Sequence, residues 1–254
     1  MIADRFDAFL FDLDGVLYLG NDPIPASIAA VQRLQQRGAT VRVLTNNPRL
    51  SRQDLATRFQ EATLSLGVEA IITSGWAAAR FLQQQGMGSA DVIGSDGARS
   101  ACRAAGIALT TAHPDAVVVG ADRAVTYRSL QRAMDHIARG ARFVGTNPDT
   151  SFPTPSGRGL GAGAVIQALE AATGTQATIA GKPESLMFDA VQDTLPPDAC
   201  PVMIGDNPRT DIAGARRAGL ASILLSDTAP PDDAPAADFT VATLTALFDG
   251  APDA

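Results

Sequence analysis

Two aspartates stand directly behind a short apolar run near the start of the chain. Residues 8–11 have the composition of a buried strand, and Asp12, Asp14 and Gly15 follow them. Because side chains alternate along a strand, Asp12 and Asp14 leave its end on the same side. Two neighbouring carboxylates repel each other unless a cation or a shared proton lies between them. The pattern indicates a cation site or an acid–base pair; a solvated Asp-x-Asp-Gly turn is the plainer alternative.

Three further apolar runs end in polar residues of the types that bind phosphate or metal. In chain order these residues are Thr45 with Asn46, then Lys182, then Asp206 with Asp211. In open α/β sheets, ligands bind outside the carboxyl ends of the strands. Each group is ordinary on its own, but together with Asp12 and Asp14 they predict a single cleft built by four loops.

The combined set contains the groups that phosphoryl transfer needs. Carboxylates that leave coordination positions for water and phosphate suit Mg²⁺. One carboxylate can attack phosphorus and form an aspartyl-phosphate, which divides hydrolysis into two easier steps. A second acid can protonate the leaving oxygen and then activate water. A hydroxyl, an amide and a lysine can neutralise and orient the phosphoryl group.

The elements that position these residues alternate between strands and helices. Helices are expected at 24–37 and 51–66, and strands at 40–44 and 70–73. Such alternation predicts an α/β fold, in which helices cover both faces of a parallel sheet. The alternation continues at 77–177 without acid pairs or a lysine at its strand ends, so this segment is expected to form a separate module.

Composition restricts the partners. The chain has 254 residues, of which 46% are hydrophobic, enough for one large or two modest domains. Its formal charge of −7 disfavours binding to polyanionic nucleic acid. Cys102 and Cys200 are interpreted as small buried hydrophobes, because they lie far apart without metal-binding spacing. No signal-peptide pattern or membrane-spanning window is found, which predicts a soluble cytoplasmic protein.

Four motifs resemble those of the haloacid dehalogenase-like (HAD) phosphohydrolase superfamily. They are Asp12-Leu13-Asp14-Gly15-Val16-Leu17, Thr45-Asn46-Asn47, Gly181-Lys182-Pro183 and Gly205-Asp206-Asn207-Pro208-Arg209-Thr210-Asp211. The resemblance implies a Rossmann-like parallel-sheet HAD core at 1–76 plus 178–254, with an inserted C2-type α/β cap domain at 77–177. Within the insertion, the stretches at 117–123 and 145–149 resemble the NagD-type and p-nitrophenyl phosphate phosphatase subgroup.

Carried onto this chain, the resemblance gives the acids distinct roles. It implies that Asp12 is the nucleophile and Asp14 the general acid/base. Mg²⁺ would be held by Asp12, the Asp14 main-chain carbonyl and Asp206. Asp211 and Asn207 would lie outside its coordination sphere, where Asp211 either supports the metal or orients Lys182. The implied enzyme is a Mg²⁺-dependent phosphatase that hydrolyses a small soluble phosphomonoester through an aspartyl-phosphate. Nucleoside monophosphates, sugar or glycerol phosphates, phosphoglycolate and pyridoxal phosphate all stay open as its substrate.

Phosphate binding is assigned by the resemblance to a separate set of side chains. These residues are Thr45, Asn46, Asn47 and Lys182. Pro48 departs from relatives, which commonly have a small polar residue at that position; because proline lacks an N–H, any main-chain donor there is lost. A cap is expected to exclude bulk water and to select the leaving group. The resemblance also leaves a homodimer open.

Other residues outside the four motifs carry weaker signals. A Gly-x-Gly-x-x-Ala match begins at Gly159, but no strand directly precedes it and no acid stands about twenty residues further on, so a loop feeding a cap helix is favoured over a dinucleotide site. His136 is interpreted as structural and Trp76 as a packing residue. Asn147 and Asp149 either face the substrate or form a structural turn.

Three rival functions stay open from the sequence. A phosphomutase or phosphotransferase on the same core would pass the phosphoryl group to a substrate hydroxyl instead of water. A non-catalytic phosphate-binding regulator is disfavoured by the intact set of Asp12, Asp14, Lys182 and Asp206. An NAD(P)-dependent oxidoreductase is the most distant of the three, and nicotinamide binding would distinguish it.

Overall fold

The computed structural model describes residues 1–120, 125–154 and 157–249. The described chain divides into two compact units. The first unit comprises Met1–Thr45, Ala56–Ile72 and the described part of Phe188–Ala254, and the second comprises Asn46–Leu55 and the described part of Thr73–Met187. The boundaries expected from the sequence, with a cap at 77–177, stay a prediction.

The helices and strands are numbered along the chain. The α-helices are α1 (Pro25–Gln36), α2 (Arg52–Glu61), α3 (Ser74–Gln84), α4 (Asp96–Ala104), α5 (Tyr127–Ala138), α6 (Ala162–Thr173), α7 (Ser185–Gln192) and α8 (Ala213–Arg217). The strands are β1 (Ala8–Asp12), β2 (Tyr18–Leu19), β3 (Asp22–Pro23), β4 (Thr40–Thr45), β5 (Ile71–Thr73), β6 (Ser89–Ile93), β7 (Ala108–Leu109), β8 (Ala116–Val119), β9 (Arg142–Gly145), β10 (Ser151–Thr154), β11 (Gly157–Leu160), β12 (Thr178–Ile179), β13 (Pro201–Gly205), β14 (Ala221–Leu225) and β15 (Phe239–Val241). A π-helical turn, Pro208–Ile212, precedes α8, and short 3₁₀ helices lie at Ile2–Asp4, Val68–Ala70 and Leu244–Phe248.

The first sheet has the strand order β15-β14-β13-β1-β4-β5. Strand β1 pairs in parallel with both β4 and β13, so that Phe11 lies beside Val43 on one side and Ile204 on the other. All three of these side chains are fully buried. A central parallel strand is covered on both faces, which explains why the sequence of β1 is a continuous apolar run and not an alternating one.

The second sheet has the order β12-β9-β8-β6-β7, and its pairs are parallel. Helices α5 and α6 pack on it through a buried apolar cluster that includes Val117, Ile137 and Ile166. The N-terminus of α5 is closed by a reciprocal capping box between Thr126 and Ser129. The expected α/β class with parallel sheets is therefore confirmed.

Several local expectations were wrong. Helix α2 ends at Glu61 instead of 66, because Thr63 adopts a left-handed φ of 61° that stops the helix. The segment at Gly159 is not a loop: β11 pairs with β10 in an antiparallel hairpin. Cys102 is buried as expected, but Cys200 is exposed.

The stretch at 117–123 that resembles the NagD-type subgroup lies only partly within the described residues, since positions 121–124 are outside them. In the described part of the chain, no helix has the length and apolarity that crossing a bilayer requires.

Candidate active site

The carboxyl edge of the first sheet brings three aspartates together. Asp12 ends β1 and Gly205 ends the parallel strand β13. The register pairs Phe11 with Ile204, the residues just before them, so Asp12 and Asp206 both follow at the same edge of the sheet. One carboxylate oxygen from each of Asp12, Asp206 and Asp211 lies within 4.8 Å of the others. Strand pairing therefore produces the acid cluster that the sequence predicted for this edge.

Asp211 is held in the cluster by its own short segment. It lies in the π-helical turn after β13 and is fully buried. The main-chain N–H of Asn207 donates to Asp211 Oδ2 at 3.1 Å. The side chain of Asn207 caps the same turn by accepting from the Arg209 N–H at 3.0 Å. Asn207 thus organises the turn that carries Asp211.

Gly205 makes room for the Asp211 carboxyl group. A Cβ atom on Gly205 would lie 2.2 Å from Asp211 Oδ2, closer than real contacts allow. Only glycine permits the strand end to approach the buried acid so closely. The Gly-Asp order at 205–206 thus has a steric basis.

Asp14 and Gly15 form the turn that follows β1. Asp14 is exposed, and Gly15 has a φ of +88° and donates its N–H to the Tyr18 carbonyl at 2.7 Å. A Cβ on Gly15 would lie 2.0 Å from Asp206 Oδ2. The main chain of this turn therefore lies against the carboxylate of Asp206.

The donor set of this cluster fits a hard divalent cation. Its oxygens are carboxylates, which Mg²⁺ and Ca²⁺ prefer. Asp12 is half-buried, Asp206 exposed and Asp211 buried, so the cluster extends from the interior to the surface. Three negative charges at this separation repel one another, and a cation between them relieves that repulsion.

The predicted phosphate-binding residues fall in both units. Thr45, the last residue of β4, is buried in the first unit. Asn46, Asn47 and Lys182 belong to the second unit. Asn47 accepts from the N–H and the Nε of Arg49, both at 3.1 Å. Whether these four residues bind phosphate stays a prediction.

In the second unit, Lys182 and Asn46 are joined directly. The Lys182 side chain is only 1% exposed. Its main-chain N–H donates to Asn46 Oδ1 at 2.8 Å, and its carbonyl accepts from Asn46 Nδ2 at 2.9 Å. Two loops that are 136 residues apart in sequence are therefore paired through one amide side chain.

For the turn at 147–149, the sequence left two roles open, substrate contact or a structural turn. Asn147 donates from Nδ2 to the Asn46 carbonyl at 2.7 Å, and Asp149 Oδ2 accepts from Asn46 Nδ2 at 3.1 Å. The signal was a polar Thr-Asn-Pro-Asp stretch directly after a strand, but nothing in it identifies the partner. Among described contacts, these residues serve a structural turn.

Pro48, His136 and Trp76 each have a defined contact. The Pro48 carbonyl accepts from Ser95 Oγ at 2.7 Å, so the residue without an N–H still contributes its acceptor. Buried His136 places Nε2 3.1 Å from the Thr111 carbonyl. The guanidinium of Arg52 lies 5.0 Å from the centre of the Trp76 ring.

Comparison with known proteins gives the same family along most of the chain. The family described as haloacid dehalogenase-like hydrolase matches residues 9–108, and that described as HAD-hydrolase-like matches residues 179–247. The dihydroxyacetone phosphatase of Corynebacterium glutamicum (strain R) is 36% identical over 220 residues, which cover 86% of this chain and 80% of that protein.

Two solved structures extend the similarity to the fold. NagD from E. coli K-12 superposes with a TM-score of 0.85 at 29% identity, covering 94% of this chain and 97% of that one. The glycerol phosphate phosphatase Rv1692 from Mycobacterium tuberculosis, solved in complex with magnesium, has a TM-score of 0.87 at 28% identity, with 97% and 77% of the two chains covered. The expected resemblance to NagD-type proteins is confirmed.

Proposed function

We propose that this chain, which belongs to the family of haloacid dehalogenase-like hydrolases, is a Mg²⁺-dependent phosphatase of small soluble phosphomonoesters. The single observation that carries the proposal is the convergence of Asp12, Asp206 and Asp211 at one sheet edge, directly beside the Asp14–Gly15 turn. The relatives are named for different phosphate esters, so the substrate is proposed only as a class.

Asp12 and Asp14 would carry the two chemical steps. Asp12 attacks phosphorus, and the bond from phosphorus to the leaving oxygen breaks while Asp14 gives that oxygen a proton. Asp14, now ionised, takes a proton from water, whose oxygen attacks the phosphorus of the aspartyl-phosphate. The bond between phosphorus and Asp12 breaks, inorganic phosphate leaves and both carboxyl groups return to their starting state.

The metal would be held by Asp12 and Asp206, with the Asp14 main-chain carbonyl as a further ligand and with Asp211 and Asn207 in support. Bound Mg²⁺ supplies positive charge that offsets the negative charge of the phosphoryl group. Asp211 is buried, and the N–H of Asn207, the residue directly after Asp206, donates to its carboxylate.

Thr45, Asn46, Asn47 and Lys182 are proposed to orient the phosphoryl group. Thr45 contributes a hydroxyl donor and Lys182 a positive charge, the groups that stabilise charge on transferring phosphoryl oxygens. Lys182 is buried. A buried ammonium interacts more strongly with an anion than an exposed one, because water screens it less.

Release of inorganic phosphate from a panel of small phosphomonoesters tests the proposal. The panel includes nucleoside monophosphates, glycerol and sugar phosphates, phosphoglycolate and p-nitrophenyl phosphate, each with Mg²⁺ and with chelator. Asp12→Asn is expected to lower the rate by about 10³-fold or more, because it removes the nucleophile. Asp198→Asn is the matched control, since Asp198 is exposed and lies outside the acid cluster.

The outcomes distinguish the rival functions. Release that requires both Mg²⁺ and Asp12 supports a phosphatase. Transfer of the phosphoryl group to an added sugar hydroxyl, without release of inorganic phosphate, would instead indicate a phosphomutase or phosphotransferase. Binding of phosphate esters without turnover of any of them would contradict the proposal and favour a regulator.

A further inference from the structure

We propose that Asn46, Asn147 and Asp149 form a clip that fixes the main chain of Lys182, and that Asn147 and Asp149 are therefore positioning residues for phosphate binding. The proposal rests on the function proposed above, in which Lys182 binds the phosphoryl group. All four residues belong to the second unit. We call the three clamping residues the Asn46 clip.

The side-chain amide of Asn46 forms hydrogen bonds through both its nitrogen and its oxygen. Its Nδ2 carries two hydrogens, and one is donated to the Lys182 carbonyl at 2.9 Å and the other to Asp149 Oδ2 at 3.1 Å. Its Oδ1 accepts from the Lys182 N–H at 2.8 Å. Both side-chain donors of Asn46 are thus engaged, so Asn46 can offer a phosphate oxygen only its main chain.

The orientation of this amide follows from its partners. If the Asn46 oxygen and nitrogen were exchanged, the oxygen would face the Lys182 carbonyl and the Asp149 carboxylate, both of which are acceptors. The nitrogen would then face the Lys182 N–H, a donor. The observed assignment is the one that pairs every donor with an acceptor. Asp149 and the main chain of Lys182 therefore select the same orientation of the Asn46 amide.

The main chain of Asn46 is also held by hydrogen bonds. The Asn46 carbonyl accepts from Asn147 Nδ2 at 2.7 Å and from Ser74 Oγ at 2.8 Å. The Asp149 N–H donates to Asn147 Oδ1 at 3.1 Å, which closes the turn between the two residues of the clip. One preformed turn therefore holds both the main chain and the side chain of Asn46.

The chain at Gly181 and Lys182 lies very close to the Asn46 amide. A Cβ on Gly181 would lie 2.5 Å from Asn46 Oδ1 and 2.6 Å from the Thr146 carbonyl. Only a glycine before Lys182 allows its N–H to reach the Asn46 amide. The lysine motif and the clip are therefore fitted to each other sterically as well as by hydrogen bonds.

These contacts restrict the position of the Lys182 ammonium group. Both main-chain polar groups of Lys182 are fixed by the clip, and the side chain is buried. A displacement of about 1 Å at a residue that positions a substrate can cost about 10²-fold in rate. Asp149 acts on phosphate through Asn46 and Lys182, without touching the phosphate itself.

The experiment compares wild type with Asp149→Ala, Asp149→Asn and Asp115→Ala, using p-nitrophenyl phosphate with Mg²⁺. Asp149→Ala is expected to raise KM for the ester and the inhibition constant of inorganic phosphate about tenfold, the scale of one hydrogen bond to a charged group, and to change kcat by less. Asp149→Asn retains an acceptor oxygen and is expected to recover most of the phosphate affinity.

Asp115→Ala is the matched control for lost stability. Asp115 also accepts several hydrogen bonds in the second unit, from the N–H of Gly88 and from the N–H and hydroxyl of Ser89, at 2.8–3.0 Å. It lies before β8, at the amino end of that strand, and has no contact with the clip among the described hydrogen bonds. Its loss is expected to leave KM and phosphate inhibition unchanged.

Hydrogen exchange of the peptide containing Lys182 gives a readout that does not need turnover. Asp149→Ala is expected to accelerate exchange of the Lys182 amide by about tenfold, because Asn46 Oδ1, the acceptor of that N–H, belongs to an amide that Asp149 no longer holds. Ser74→Ala, which removes one of the two donors to the Asn46 carbonyl, should have a smaller effect of the same kind and is a milder variant if Asp149→Ala does not fold.

Two kinds of failure are distinguishable. A wild type without phosphate release refutes the proposed function, whatever the exchange data show. A wild type that turns over, combined with unchanged KM, phosphate inhibition and Lys182 exchange in Asp149→Ala, refutes the clip alone. Equal changes in Asp149→Ala and Asp115→Ala would also refute it, because they would show a general loss of stability.

Discussion

Replacing Gly15 with alanine should separate metal binding from stability. Gly15 has a φ of +88°, and its added Cβ would lie 2.0 Å from Asp206 Oδ2. Gly20, in the same segment, has a φ of +62°, and a Cβ there would meet nothing within 4 Å. The two glycines share a left-handed backbone but differ in what a methyl group would touch. Gly20→Ala is therefore the matched control.

The stability cost is expected to be similar in the two variants. Placing alanine in the left-handed region costs about 1–2 kcal/mol. For a chain of this size, each kcal/mol lowers the Tm by about 2–4 °C. The additional clash in Gly15→Ala is relieved cheaply, because Asp206 is exposed and its carboxylate is the mobile end of a side chain. Thermal unfolding should therefore show nearly equal losses.

The metal dependence, in contrast, is expected to differ. Ordinary van der Waals contact begins at 3.4 Å, so the Asp206 oxygen must retreat by 3.4 − 2.0, or about 1.4 Å, to accommodate the methyl group. Mg²⁺ demands ligand distances of about 2.0–2.1 Å in near-ideal geometry, and a retreat on that scale takes the oxygen out of coordination. We expect the Mg²⁺ concentration at half-maximal activity to rise about tenfold or more.

The assay is phosphate release as a function of Mg²⁺ concentration for wild type, Gly15→Ala and Gly20→Ala, together with calorimetric titration of Mg²⁺. Calorimetry reports metal binding even if turnover is lost. Equal Mg²⁺ dependence in the two variants would refute the assignment of Asp206 as a ligand beside the Asp14–Gly15 turn. A much larger Tm loss in Gly15→Ala would show that Asp206 cannot yield.

Two further predictions concern groups outside the acid cluster. Arg132→Ala should destabilise the protein by about 3 kcal/mol, because it leaves the carboxylate of Asp91, only 3% exposed, without its bidentate partner. Arg209→Ala, in an exposed ion pair, should cost less than about 1 kcal/mol in the same denaturant titration, and equal losses would contradict the difference in burial. Burial raises the pKa of the Cys102 thiol to about 11, so at pH 8 only about one thiol in 10³ is ionised. A thiol reagent should therefore label exposed Cys200 at once and Cys102 only after unfolding, and rapid labelling of two thiols in the native protein would contradict this.

The acid cluster was predictable because it depends on strand ends. An apolar run such as that of β1 marks a buried parallel strand, and the residue after it must lie at the carboxyl edge of the sheet. This reasoning placed Asp12 and Asp206 correctly relative to each other. It needed no knowledge of side-chain conformation, because the parallel pairing of β1 with β13 brings the carboxyl ends of both strands to one edge of the sheet.

The hairpin β10–β11 and the Asn46 clip were not predictable in the same way. The hairpin has short strands, with two glycines in β11, so it lacks the alternating apolar pattern of a strand. The clip depends on which loops meet after folding, and Asn46 and Asp149 are 103 positions apart in the sequence, so no local signal marks their pairing. Turn-forming residues predict a turn, but they do not identify what the turn will hold.

Three of the four motifs contain a glycine that lies close to a polar side chain. Gly15 lies in the turn that approaches Asp206, and Gly205 leaves room for the Asp211 carboxyl group. Gly181 leaves room for the Asn46 amide. Each would place a Cβ within 2.5 Å of a polar side-chain atom in its own unit. Where charged and polar groups gather around a main-chain turn, no space is left for a further side chain on that turn. Glycine at positions 15, 181 and 205 is therefore required by the same close packing that brings these polar groups together.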